Sequence, residues 1–146
     1  MQGNLYERRW RPIPDTNAPL PSKRELIDRI ERLAISADAK VLLGKLVEIG
    51  VEIGGRVIQA GRRILAFILE TMKLFPNTAF GLIVAFVVAT LIAAIPLLGA
   101  VLSPLLVPLL LAFGLTAGAL ADLKEGAIRA RVRKLEDEFR MMNGAG

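Results

Sequence analysis

The side chains that could do chemistry in this chain are few in kind: 14 aspartates and glutamates, 19 lysines and arginines, and a handful of hydroxyls. Cysteine and histidine are both absent from the sequence, which excludes disulfides, thiolate nucleophiles, imidazole bases and the usual zinc and haem ligands. Catalysis would have to rest on a carboxylate, a lysine or a hydroxyl, and no cluster of acid, base and nucleophile is visible among them. The chain reads as non-enzymatic, with no catalytic, cofactor-binding or metal-binding residue and no cofactor. Net charge is +5 and the isoelectric point about 10.1, but the basic residues are mixed with acids and lack interleaved aromatics. Nucleic acid is therefore not an expected partner.

The elements that position these groups are organised around one neutral tract. From Leu74 to Ala121 no charged residue occurs, and only Asn77, Thr78, Thr90, Ser103 and Thr116 offer side-chain polarity. A hydrophobic share of 53% and a mean hydropathy of +0.50 over 146 residues exceed those of an ordinary soluble domain and point toward a membrane. A single helix over the tract would extend roughly 72 Å, more than twice the ~30 Å hydrocarbon core. Two crossings joined by a tight turn fit it instead. Pro76-Asn77-Thr78 supplies a stop and a new cap, and Thr78 to Ile95 reads as the first span. Pro96, Gly99 and Ser103-Pro104 punctuate the middle, with Ser103 as N-cap, and Pro104 to Ala121 reads as the second span, bent at Pro108.

A charge-free helical hairpin beside amphipathic helices is similar in design to the pore-forming colicin domains, which bury theirs within a coat of such helices, although no residue motif is shared. The amphipathic helices available here are too few to cover both apolar spans on all sides. The expected fold class is therefore an all-α integral membrane protein, a two-span transmembrane hairpin with an amphipathic N-terminal helical region and a cytoplasmic C-terminal helix. Residues 1–22 form an extended proline-rich arm, 23–75 amphipathic helices, 76–121 the hairpin, and 122–146 a charged amphipathic helix and tail.

In the arm, Pro12, Pro14, Pro19 and Pro21 exclude regular structure, and Tyr6 and Trp10 beside Arg8, Arg9 and Arg11 suit an anchor at a headgroup layer or on a protein partner. The arm also lacks the short apolar core of a signal peptide. Ser22-Lys-Arg-Glu25 is a capping box that opens an amphipathic helix carrying Leu26, Ile30 and Leu33, and Ser36 caps the next. From Ala39 to Phe75 no proline intervenes, so one helix is expected, with Lys45, Glu48, Glu52, Arg56, Gln59 and Arg63 along a polar stripe. Within it "VEIGVEIGG" places Gly50 and Gly54 one turn apart and Gly61 two turns on, a spacing suited to close contact with another helix.

In the spans, Ala85, Ala89 and Ala93 recur every four residues and Gly114 and Gly118 form a GxxxG, both suited to helix packing within or between protomers. Beyond them Ile128, Val132, Leu135, Phe139 and Met142 make a short heptad seam. Arg62, Arg63 and Lys73 precede the first span, Lys124, Arg129, Arg131 and Arg133 follow the second, and the turn has no cation, which places both termini in the cytoplasm. These features point to a homo-oligomer in the lipid bilayer that forms a pore or perturbs the membrane, as an effector or holin-like protein does. The alternative is a structural anchor or accessory subunit of a larger membrane assembly.

Overall fold

The computed structural model describes residues 20–123 and 126–144. In chain order it holds α1 (Lys23–Glu31), α2 (Ala37–Val47), a hairpin of β1 (Val51–Ile53) and β2 (Arg56–Ile58), α3 (Ala60–Leu74), α4 (Phe80–Ala94), α5 (Pro96–Ala112), a 3-10 segment (Ala117–Leu123) and α6 (Ala127–Gly144). The Ser22 hydroxyl accepts from the Glu25 amide at 3.0 Å and that of Ser36 from Ala39 at 3.1 Å, so both helix starts lie where the capping residues put them. Glu25 itself turns to Arg29, one helical turn on.

The long helix expected from Ala39 to Phe75 is replaced by helix, hairpin and helix. α2 ends at Val47, and β1 and β2 pair antiparallel with Val51 opposite Ile58, Glu52 opposite Val57 and Ile53 opposite Arg56. The turn is Gly54-Gly55, at φ 60° and 81°, and two consecutive positive φ values define the tight turn whose twist matches that of its strands. Buried Val51 and Ile53 flank exposed Glu52, which is strand alternation and not helical spacing. The expected polar stripe therefore does not form: Lys45 belongs to α2, Glu52 and Arg56 to the strands, and Arg63 to α3. Val57, beside Arg56 on β2, is 68% exposed.

α4 is the centre of the molecule. Every residue from Ile83 to Val88 is buried, which is more than a full helical turn and leaves no open side at that level. Around it pack α3, α5, α6 and the 3-10 segment. α5 folds back along α4 after one extended residue, Ile95, with Pro96 at the first helical position. The Phe80 and Phe113 rings meet edge to face at 6.1 Å and close the open end of this pair.

This geometry overturns the integral membrane class, the pore and the multi-pass location with cytoplasmic termini. α4 has 15 residues and α5 has 17, roughly 22 and 26 Å of helix against a ~30 Å hydrocarbon core. No helix among the described residues is long and apolar enough to cross a membrane. The neutral tract is cut at Ile95 and again at Gly114, whose φ of 68° ends α5. There the Leu115 amide donates to the Leu110 carbonyl and the Gly114 amide to that of Leu111, the paired bonds of a Schellman stop. A helix apolar all round belongs either to a bilayer or to the centre of a protein, and α4 takes the second place.

The expected turn from Pro96 to Pro104 is helical as well. α5 runs through Pro104 and Pro108, and Ser103 is not a cap but donates its hydroxyl to the Gly99 carbonyl at 2.6 Å. Pro104 and Ala100, whose carbonyl loses its donor to the proline ring, are both exposed, so water can satisfy that oxygen.

Candidate functional site

A cavity of about 850 Å³ lies where α4, the 3-10 segment and α6 meet. α4 contributes Phe86, Ala89, Thr90, Ala93 and Ala94, because its four-residue rhythm of small side chains turns one low stripe toward α6. The 3-10 segment contributes Gly118, Leu120 and Ala121. These walls are apolar apart from the Thr90 hydroxyl, and α6 supplies the charged side chains Arg129, Glu136 and Arg140.

Glu136 is only 3% exposed, and its two oxygens are shared between two arginines. Arg129 donates from Nη1 to Oε2 at 2.6 Å, whereas Arg140 approaches Oε1 at 3.6 Å and exposed Asp137 at 3.8 Å. The first contact is a short charge-assisted hydrogen bond and the other two are ion pairs beyond hydrogen-bond length. A carboxylate so held is an anchor for two guanidinium groups. It orients their remaining donors.

A second polar group joins α6 to α3 on another side. Arg63 donates to Glu138 at 3.3 Å, and Arg131 donates to the Thr71 hydroxyl at 3.2 Å while lying 5.2 Å over the Phe67 ring. Burial pushes the Glu138 carboxyl above the ordinary carboxylate range, and the neighbouring Arg63 offsets only part of that. A raised folded-state pKa favours the fold while the carboxyl is protonated, and the advantage is lost as pH rises through that pKa. Glu138→Gln, which keeps the neutral shape, should therefore gain melting temperature relative to the parent as pH is raised from about 4 to 7. Thermal melts followed by circular dichroism would show it, and a constant difference across that range would remove the proposed burial effect.

The residues singled out from the sequence have scattered places. Gly50 lies between α2 and β1, Gly54 in the hairpin turn, and Gly61 in α3 against the backbone of Leu46, so the three share no helical face. Ala85 is buried in the core, whereas Ala89 and Ala93 line the cavity. Gly114 and Gly118 do not form a helical GxxxG, because the first ends α5 and the second is in the 3-10 segment, at the cavity. Ile128, Val132, Leu135 and Phe139 are buried within the chain.

The cations expected to flank membrane spans have work inside the fold. Arg62 donates to the carbonyls of Pro21 and Leu20, Arg63 reaches Glu138, Arg129 reaches Glu136 and Arg131 reaches Thr71, while Lys73 and Arg133 are exposed. Tyr6, Trp10 and Lys124 lie outside the described residues. Sequence reading missed the pairing of Glu136 with Arg129 and Arg140. Its one signal was an acid at a position on α6 adjoining the apolar seam residue Leu135. The chain matches no protein-family model, no curated protein and no solved structure.

Proposed function

We propose that the chain is a non-enzymatic assembly protein that pairs with a second copy of itself through the outer face of α5. The observation that carries this reading is an uncharged apolar row left open to solvent. Leu97, Val101 and Leu111 are exposed with Pro104 between them, each three or four residues or a double step from the next, and Val107 lies beside the row. Val107 is 60% and Leu111 74% exposed, and Val41 of α2 extends the patch across a groove that Asp38, Leu42, Pro108 and Ala112 also line. Scattered apolar residues on a surface are ordinary, but a contiguous row at helical spacing marks an interaction face.

The choice of a second copy rests on charge. A two-fold contact sets a patch against itself, so any charge near its centre meets its like. α5 carries none from Pro96 to Ala112, so pairing along α5 sets no charge of that helix against its like, and the charge that lines the adjoining groove is Asp38 of α2. The non-enzymatic part rests on the absent cysteine and histidine, together with the two carboxylates withdrawn from water, Glu136 and Glu138, both of which are held by arginines.

Sedimentation velocity over a range of protein concentrations tests the reading. The parent should show a concentration-dependent dimer, and Leu111→Glu should weaken it at least about 100-fold by opposing two carboxylates across the axis. A parent that stays monomeric throughout would remove self-pairing. An accessory subunit that offers this face to a different chain would then be the better reading.

A further inference from the structure

We infer that the cavity between α4, the 3-10 segment and α6 binds a long-chain carboxylate, the chain along the apolar walls and the head between Arg129 and Arg140. The cavity is an open groove whose volume of about 850 Å³ lies within the range of small-molecule sites, and its lining has the division of labour such sites show. Phe86, Ala89, Ala93 and Leu120 offer apolar surface with no hydrogen-bonding demand, and all the charge comes from one element, α6. Ala93 and Gly118 are exposed, so the chain can enter between them.

The charged side chains select the head. Glu136 engages one nitrogen of Arg129 in a short bond, and Arg140 makes no contact closer than 3.6 Å to a carboxylate among the described residues. Both guanidinium groups therefore keep donors for a further acceptor, and their planar fork matches a carboxylate with two parallel bonds. Among the residues that line the cavity, two arginines and one glutamate leave a single positive charge, and exposed Asp137, outside the lining but 3.8 Å from Arg140, offsets part of it, so a monoanion is better balanced there than a dianion. A dianionic phosphate would carry an excess charge next to Glu136 and Asp137. A neutral or cationic head would leave the arginines unanswered.

The test uses the full chain and 11-(dansylamino)undecanoic acid, whose fluorescence rises on transfer to an apolar site, with dodecanoate, dodecanol and dodecyl phosphate as competitors. The probe should bind saturably at one site per chain and be displaced by dodecanoate, with dodecanol at least about tenfold weaker and dodecyl phosphate weaker than dodecanoate. Arg140→Gln, at a half-exposed position, should weaken the probe about 10- to 100-fold with little change in the melt. Ala93→Phe fills the cavity from its exposed mouth and should abolish binding. Leu111→Glu, on the distant face of α5, should leave it unchanged. Absence of saturable binding, equal affinity for dodecanol and dodecanoate, or binding unaffected by Ala93→Phe would each overturn the inference. Loss on Leu111→Glu alone would place the probe on the α5 face and overturn it too.

Discussion

Gly61→Ala is expected to lower the free energy of unfolding by about 4 kcal/mol or more, enough to unfold a chain of ordinary stability. Gly61 is in the first turn of α3, and its amide donates to the Ile49 carbonyl at 2.9 Å, which ties that turn to the end of α2. A Cβ at this position would overlap the Leu46 carbonyl oxygen and lie 2.8 Å from its carbon and 3.1 Å from the Ile49 amide nitrogen. All three are backbone atoms, held by the helix and its exit. No rotamer change relieves the overlap, so α2 and α3 must separate. Gly44→Ala supplies the contrast, because its nearest neighbour would be the flexible end of Ile27 at 3.9 Å and the site is inside α2. There the gain in helix propensity should stabilise by about 0.5 to 1 kcal/mol. Urea unfolding followed at 222 nm separates the two, and similar midpoints for both variants would refute the close approach.

The three glycines grouped by spacing thus turn out to act by different physics. Gly61 permits contact between helices, Gly54 permits a left-handed turn with open space around it, and Gly50 joins α2 to β1. A spacing of four is compatible with a helix and equally with a short strand followed by a turn. What could have decided between them is the triplets Val51-Glu-Ile53 and Arg56-Val-Ile58 around Gly54-Gly55, alternating and rich in β-branched residues. Local chemistry was readable where it is self-contained. Ser22 and Ser36 cap helices whatever lies beyond them, and the seam from Ile128 to Phe139 is buried because only one face of that helix is apolar.

Environment was not readable in this way. A tract without charge from Leu74 to Ala121 satisfies lipid, and it equally satisfies protein on every side, since neither medium solvates an ion. The coat appeared too small only if both apolar helices needed covering. α5 covers one side of α4, and its own outer face stays open, which is the face proposed for pairing. The carboxylate anchor in the cavity was hidden for a related reason: Glu136 meets Arg129 seven residues away and Arg140 four away, and these spacings look like any solvated charged face until the 3-10 segment closes over α4.

Val88→Asp tests that enclosure directly and has the other large expected effect. Val88 is 0% exposed in the turn of α4 where all directions are filled, so the new carboxyl finds neither water nor a partner positioned for it. An unpaired buried charge together with a lost apolar side chain should cost on the order of 4 kcal/mol or more at neutral pH. Burial also raises the pKa of such a carboxyl, so the protonated form is favoured in the fold and the stability deficit should grow as pH rises from about 4.5 to 7.5. Val107→Asp places the same group in the same neutral tract, but on a residue 60% exposed. Measured at a protein concentration too low for pairing, it should stay within about 0.5 kcal/mol of the parent and show no added pH dependence. Denaturant midpoints for both variants at the two pH values give the comparison. If Val88→Asp were tolerated as well as Val107→Asp, α4 could not be surrounded by the rest of the chain, and the neutral tract would need another account.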